Sequence, residues 1–139
     1  MPRWTFEIIA ESLAPSEKST IAREATKIYT DVGFPKFWVN VFFHENDPNN
    51  FYIGADSSKN VFLVINHTAR TFESVAHRLG FLDRVDTILR PILEPKGLHW
   101  EFNIHEHPAQ NWRMNGMIPP VNKPDVLQNW VSQNKPVPY

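Results

Sequence analysis

The stretch that decides the fold runs from residue 61 to residue 104 and starts with the apolar run VFLVIN (61–66). A nearly continuous apolar run of this length is typical of a strand buried on both faces of a sheet. Apolar residues at helical spacing follow it, namely Val75, Leu79, Leu82, Val85, Ile88, Leu89 and Ile92. The segment LHWEFNI (98–104) then alternates as a strand does. The stretch predicts strand, helix and strand, with the helix over about 74–93 and with Pro91 and Pro95 marking its end.

The same order of elements occurs once before in the chain. Residues 4–9 (WTFEII) predict a strand, and an apolar face formed by Ile21, Ala25 and Ile28 predicts a helix over about 15–31. The segment 37–44 (FWVNVFFH) predicts the next strand. The two units, at about 2–45 and 60–106, indicate an α/β fold. In it a tandem β-α-β repeat forms one four-stranded sheet with both helices on one face.

The other face of this predicted sheet has no helix to cover it. We expect that face to be rich in Phe and Trp, so a neighbouring subunit is its simplest cover. Beyond the second unit, residues 108–139 hold half of the 12 prolines. We interpret them as a Pro-rich C-terminal arm, with a short helix over about 125–134. With 139 residues the chain has the length of a single domain.

Composition excludes several classes of function. The 14 basic and 15 acidic residues give a net charge of −1, so the chain lacks the basic surface expected of a protein that binds nucleic acid or an anionic membrane. The absence of cysteine excludes a disulfide scaffold, a thiolate metal site and a cysteine nucleophile. Without a long apolar segment or a signal-peptide core, we expect a soluble cytoplasmic protein.

Pro2 is a candidate catalytic residue because it directly follows the initiator methionine. Methionine aminopeptidases remove Met before small residues, proline included, which would leave a free prolyl amine. The pKa of such an amine is near 8, and burial lowers it toward neutrality, which suits a general base. Proline also occurs at this position without any function, so the residue alone does not decide the matter.

Arg70 is a candidate substrate-binding residue because it follows the apolar strand of residues 61–66. Ligands gather at the carboxyl ends of strands in β-α-β units, and arginine can hold a carboxylate through two hydrogen bonds. The alternative is a solvated loop arginine. His105 and His107 could share one face of a strand, but no third ligand stands at a diagnostic spacing, so no metal or other cofactor is expected.

Several short segments, taken in order, resemble the tautomerase superfamily, and in particular the cis-3-chloroacrylic acid dehalogenase group and its fungal oxalocrotonate tautomerase relatives. They are Pro2, LAPS (13–16), FHE (43–45), NFYIG (50–54), Arg70, PAQ (108–110) and NG (115–116). The resemblance implies a catalytic N-terminal proline, arginines after the third strand that hold a substrate carboxylate, and a homotrimer. It covers roughly residues 2–120.

The chain departs from the dehalogenase pattern at four matched positions. The second arginine of those enzymes falls on Glu73, and their water-activating glutamate falls on Met114. Their carboxylate-binding histidine falls on Tyr29 and their late tyrosine on Asn103. Methionine cannot activate water and Glu73 would repel a carboxylate, so the hydration machinery is missing from these positions. Tyr29 and Asn103 can still donate hydrogen bonds to a carbonyl.

The resemblance therefore favours a cofactor-independent tautomerase that moves a proton on a small 2-oxo or 2-hydroxyenoic acid. Pro2 would be the base, and Arg70, Tyr29 and Asn103 would bind the substrate. One alternative is a hydratase or dehalogenase of small unsaturated acids, for which Glu106 or His107 would have to activate water. Another is a non-catalytic member of the fold that binds a small acid or a partner, which retention of Met1 would favour.

Overall fold

A computed structural model describes residues 1–68 and 70–139 of the chain. Its main sheet contains four strands, which are β1 (Arg3–Ile9), β2 (Asn40–Asn46), β3 (Val61–Thr68) and β4 (Trp100–His107). The helices are α1 (Pro15–Thr30), α2 (Val75–Leu93) and α3 (Pro124–Gln133). A small hairpin of Tyr52–Ile53 and Asp56–Ser57 stands apart from the sheet. Within the described ranges, no helix is both long and apolar enough to cross a membrane.

The sheet confirms the predicted tandem repeat. Its strand order is β2-β1-β3-β4, with β1 parallel to β2 and β3 parallel to β4. Each β-α-β unit thus supplies one parallel pair, and the units meet where β1 and β3 run antiparallel. Helices α1 and α2 pack against each other. Because β1 and β3 point in opposite directions, the amino end of β1 lies at the carboxyl end of β3.

Local sequence explains where the helices begin and end. Pro15 opens α1, and the Glu17 carboxylate accepts the free N–H of Ala14 at 2.7 Å. The chain leaves α1 through Gly33, whose φ of +87° favours glycine. Ser74 caps α2 by accepting the N–H of His77 at 3.0 Å. These contacts satisfy backbone groups that have no partner inside a helix.

One predicted boundary was wrong. The predicted strand over 37–44 is divided, because Lys36–Trp38 form a 3₁₀ turn and β2 begins at Asn40. Pro35 sets this turn, since its carbonyl accepts the N–H of Trp38 at 3.1 Å. The other predicted boundary is confirmed, because α2 ends at Leu93 with Pro91 inside its last turn. A proline there removes one helical hydrogen bond without unwinding the final residues.

The prediction that the uncovered sheet face is rich in Phe and Trp was also wrong. Side chains alternate along a strand, so Trp4, Phe6 and Ile8 of β1 point together toward the helices and are fully buried. The residues between them face the other way and are mostly polar. That face carries Arg3, Thr5, Glu7, Ile9, Asn40, Phe42, His44, Asn46, Phe62, Val64, Asn66, Thr68, Glu101, Asn103, His105 and His107. The aromatic residues of the strands therefore build mainly the core beneath the helices.

The C-terminal residues pack against the rest of the same chain. Helix α3 buries Leu127 and Trp130, and the Trp130 ring meets the Trp38 ring edge-on, with 6.3 Å between centroids. The Trp130 indole N–H donates to the Val137 carbonyl at 2.8 Å. The predicted short helix over 125–134 is therefore present, and its apolar side closes the core next to the 3₁₀ turn.

Candidate active site

The amino end of β1 meets the carboxyl end of β3, and this junction brings Pro2 close to His67. Arg3 pairs with Asn66 in the antiparallel register. Continuing that register by one residue sets Pro2 opposite His67, and both lie on the helix-covered face because Trp4 does. Pro2 is buried, and its carbonyl accepts the N–H of Asn40 at 3.0 Å. The position of the chain start is thus fixed by both neighbouring strands.

Met1 occupies the interior beside this junction. Its residue is only 2% exposed and belongs to the apolar core. Burial lowers the pKa of its amino group from 8.0 to about 5, because a charged ammonium is poorly solvated there. The charge of this amine also contributes to lowering the pKa of His67, so the chain start and that ring are close in space. An amine at this place is therefore held in its neutral, basic form at pH 7.

A cavity of about 330 Å³ opens between α1 and α2 at the same end of the sheet. Its walls are largely apolar and include Ile28, Val32, Phe34, Phe72 and Phe81. Tyr29, His67, Arg70 and Arg84 supply most of its polar groups. A cavity with apolar walls and a few cationic or hydrogen-bonding groups suits an organic acid with an apolar body.

Arg70 lies on the rim of this cavity. Its guanidinium stands over the Phe34 ring, 5.2 Å from the centroid. The residue is exposed, and it also borders a second, more polar cavity of about 530 Å³ that contains Glu73 and Glu106. A cation placed against an aromatic face, with its outer side open, is available to bind a carboxylate.

Tyr29 lies at the bottom of the site, and its hydroxyl group is already hydrogen-bonded within the protein. The indole N–H of Trp4 donates to the hydroxyl oxygen at 3.1 Å, and Nδ1 of His67 lies 3.3 Å from the same oxygen. Burial raises the pKa of this hydroxyl well above its ordinary value. A substrate carbonyl would therefore have to displace one of these partners to receive a hydrogen bond from Tyr29.

His67 is the polar residue that sequence reasoning missed at this site. It is 9% exposed, and its ring stacks on Phe72 with centroids 4.7 Å apart and planes within 8°. Burial lowers its pKa from 6.5 to about 4, so the ring is neutral at pH 7, although the nearby Glu106 carboxylate opposes this shift. Alternation along β3 places His67 on the same face as the buried Leu63 and Ile65. This alternation is the sequence pattern from which a buried histidine could have been predicted.

Comparisons with known proteins identify the family of this chain. The model of a family described as "Putative oxalocrotonate tautomerase enzyme" matches residues 1–135. The chain belongs to this tautomerase family. No curated protein matches the sequence significantly.

Solved structures match nearly the whole length of the chain. It is 40% identical to "a probable enzyme from the thermophilic fungus Aspergillus fumigatus", covering 100% of this chain and 98% of that one with a TM-score of 0.94. RhCC from Rhodococcus jostii RHA1 is 29% identical, with 99% of each chain covered and a TM-score of 0.89. N1, a member of the cis-3-chloroacrylic acid dehalogenase family, shares the fold at 16% identity, with 94% and 99% covered and a TM-score of 0.70.

The structure brings Pro2, Tyr29 and Arg70 to one end of the sheet but places Asn103 elsewhere. Asn103 pairs with Val64 in the register of β3 and β4, and it is exposed on the uncovered face. Within one subunit it therefore lies on the opposite side of the sheet from the cavity. Any contact between Asn103 and a substrate in this cavity would require a neighbouring subunit.

Two of the four positions that differ from the dehalogenase pattern, Glu73 and Met114, lie outside the lining of the first cavity. Met114 is half-buried and forms an isolated bridge with Met117, with both N–H···O distances at 2.9 Å. Glu73 lines the second cavity together with Arg70. Glu106 lines it as well, and its carboxylate accepts the N–H of Phe72 at 2.8 Å. In the described part of the chain, no group of three or more potential ligands could hold a metal ion.

Proposed function

We propose that this protein is a cofactor-independent tautomerase that moves a proton between oxygen and carbon of a small 2-oxo or 2-hydroxyenoic acid. Pro2 would act as the general base and Arg70 would bind the substrate carboxylate. The observation that carries the proposal is the buried chain start, which lies opposite His67, a residue that lines a largely apolar cavity with Arg70 on its rim. A neutral amine and a fixed cation are the two groups that this reaction needs.

The proposal requires that Met1 is removed from the mature protein. While Met1 is attached, the Pro2 nitrogen is an amide nitrogen and has no basic lone pair. Removal would free the amine and also vacate the space that a fully buried methionine side chain fills. The new amine would lie in the environment that lowers the pKa of the Met1 amine, so it would be neutral at pH 7.

Proton transfer would then proceed in two steps. The neutral Pro2 amine takes the hydroxyl proton of the enol and becomes a cation, while the negative charge on the enolate oxygen is stabilised by Arg70. The Pro2 cation then gives its proton to the adjacent carbon, which restores the amine and leaves the 2-oxo acid. Tyr29 would support the carbonyl from within its hydrogen-bonded network, and Asn103 would contribute from a neighbouring subunit of the proposed homotrimer.

The test is a tautomerase assay with the enol of phenylpyruvate on the wild type, Pro2→Ala and Arg70→Ala. Pro2→Ala keeps an amine but makes it primary and less constrained, so turnover should fall while substrate binding persists. Arg70→Ala should lower kcat/KM roughly 10- to 150-fold. This corresponds to the loss of about 1.5–3 kcal/mol of stabilisation, as expected for a charge-assisted hydrogen bond. Arg78→Ala is the matched control, because Arg78 is an exposed residue of α2 outside the cavity lining.

Intact mass of the purified protein decides whether the mechanism can operate. Full activity in a chain shown to retain Met1 would refute the role of Pro2, because an amide nitrogen cannot take the proton. A protein that retains Met1, lacks activity and still binds small acids would instead be a non-catalytic member of the fold.

A second candidate function is hydration or dehalogenation of a small unsaturated acid, and the position of Glu106 favours it. Glu106 and Arg70 line the same polar cavity, so a carboxylate that could activate water lies near a cation that could hold the substrate. Glu106→Gln should abolish this activity and leave tautomerisation unchanged. Chloride release from cis-3-chloroacrylate is the measurement, and no release by the wild type would exclude dehalogenation as the function.

A further inference from the structure

The backbone of Phe34 is fixed by the residues next to it in the sequence. Gly33, with a φ of +87°, turns the chain at the end of α1. The N–H of Phe34 then donates to the carbonyl of Tyr29 at 3.1 Å. Pro35 follows, and a residue before proline is restricted to extended conformations. The local sequence therefore fixes the direction in which the Phe34 side chain leaves the backbone.

The ring of Phe34 belongs both to the core and to the wall of the apolar cavity. The residue is 5% exposed and lines that cavity. Its ring packs against the fully buried Trp38 ring, with centroids 5.2 Å apart, and Trp38 packs in turn against Trp130 of α3. Rings packed in this way have little room for another rotamer. The Arg70 guanidinium, whose Cζ lies 5.2 Å from the Phe34 centroid, is thus placed over a rigid aromatic surface.

The two arginines that line this cavity differ in their partners. Arg84 donates to the Asp31 carboxylate at 3.0 Å, so its charge is compensated within the protein. None of the ion pairs formed among residues 1–68 and 70–139 involves Arg70. A guanidinium held over an aromatic face still has N–H groups free for a carboxylate, because the attraction to the ring does not use them up. The contact with Phe34 can therefore order Arg70 without competing with a substrate.

We propose that Phe34 is a positioning residue that orients the Arg70 guanidinium toward the substrate carboxylate. The inference rests on the carboxylate-binding role proposed for Arg70. Arg70 is exposed, and an exposed arginine side chain loses conformational entropy when a ligand fixes it in one rotamer. The attraction between the cation and the negative face of the ring favours the rotamers that keep the cation at the rim. A carboxylate then meets an arginine that is already ordered, which lowers the entropic cost of binding.

Two replacements of Phe34 test this role. Phe34→Leu keeps an apolar side chain but removes the ring, whereas 3,4,5-trifluorophenylalanine at position 34 keeps the ring and weakens its negative face. Calorimetric titration with 3-phenylpropanoate and with 3-phenylpropanol compares an acid with an uncharged alcohol of the same frame, without any catalysis. We expect both replacements to weaken binding of the acid roughly 2- to 5-fold more than binding of the alcohol, the size of a cation–π contact at an exposed site.

Phe81→Leu is the matched control for loss of an aromatic wall. Phe81 is a buried residue of the same cavity, and its ring packs against those of Tyr29 and Phe72. Its replacement should weaken the acid and the alcohol equally. The same equal weakening in both Phe34 replacements would overturn the inference, because it would indicate lost packing alone, and so would unchanged binding of both ligands. If Phe34→Leu does not fold, the fluorinated protein makes the same comparison with the packing preserved.

Arg70→Ala connects the effect to the arginine and separates the inference from the proposed reaction. Arg70→Ala alone should weaken the acid more than the alcohol. Phe34→Leu added to Arg70→Ala should then weaken both ligands equally, since the cation is gone; a further selective loss of the acid would overturn the inference. A selective Arg70→Ala with an unselective Phe34→Leu refutes the positioning role alone, and an unselective Arg70→Ala refutes the carboxylate-binding role with it. If Pro2→Ala keeps full tautomerase activity while the selective pattern appears, the base is wrong and the positioning role stands.

Discussion

Acid conditions should destabilise this protein through His67, and the size of the effect follows from the burial of the ring. Its pKa is lowered from 6.5 to about 4 in the folded protein, mainly by burial. Between these two values the unfolded chain binds more protons than the folded one, so the free energy of unfolding falls as the pH falls. The full difference corresponds to about 3 kcal/mol, a large part of the stability of a small domain.

The assay is urea denaturation of the wild type and His67→Gln at pH 7 and at pH 4. The variant loses hydrogen bonds at both values, so its stability is lower throughout, but it has no ring to protonate. We expect the wild type to lose about 3 kcal/mol more than the variant between pH 7 and pH 4. Other titrating groups, including the buried amine of the chain start, contribute to both proteins and cancel in the difference.

Equal losses in the two proteins would refute this reasoning. They would mean that the folded protein accommodates a protonated ring at position 67, for example through the Glu106 carboxylate that already opposes the shift. His99→Gln is the control for removing an exposed histidine, and its stability should follow the wild type at both pH values.

Four further results are expected. Trp130→Ala should cost about 3–5 kcal/mol in urea denaturation, because the ring is fully buried and its removal leaves a cavity. Tautomerase activity should rise with pH through one ionisation between about 5 and 8, since the neutral form of a buried Pro2 amine is the active one; a pH profile that falls over this range would contradict the base. Chloride release from cis-3-chloroacrylate should be very slow, because Met114 and Glu73 occupy the matched dehalogenase positions, and rapid release would show that another acid has taken over. Sedimentation at micromolar concentration should show a homotrimer, and a monomer would remove the proposed contribution of Asn103.

Local patterns were enough to predict the α/β fold and the family. The spacing of apolar residues over 61–104 gave a strand, a helix and a strand because periodicity depends on neighbours in sequence. Repetition of that order indicated two β-α-β units in one sheet, whereas the antiparallel pairing of β1 with β3 was given only by the structure. The prediction of a strand failed at Lys36–Trp38, where the turn that follows Pro35 prevailed over residues that favour strands.

Which face of the sheet each side chain occupies was decided only by tertiary structure. A count of aromatic residues does not distinguish the two faces, whereas the register of β1 with its neighbours sends Trp4 and Phe6 under the helices. The same alternation leaves Asn103 on the uncovered face, away from the cavity. Matching Asn103 to a family position does not give the face on which it lies, because a matched position carries no information on which subunit supplies the side chain to a site.

The sequence by itself determined the two residues on which the proposed chemistry depends. Pro2 is recognisable from its place after Met1, and Arg70 from its place after an apolar strand. The network behind them was decided only in three dimensions, since Tyr29 lies 25 residues from Trp4 and 38 from His67. A hydrogen bond between such distant positions leaves no local pattern in the sequence. The bond between Tyr29 and His67 exists because α1 packs across the central strands, which brings the buried hydroxyl within reach of the buried ring.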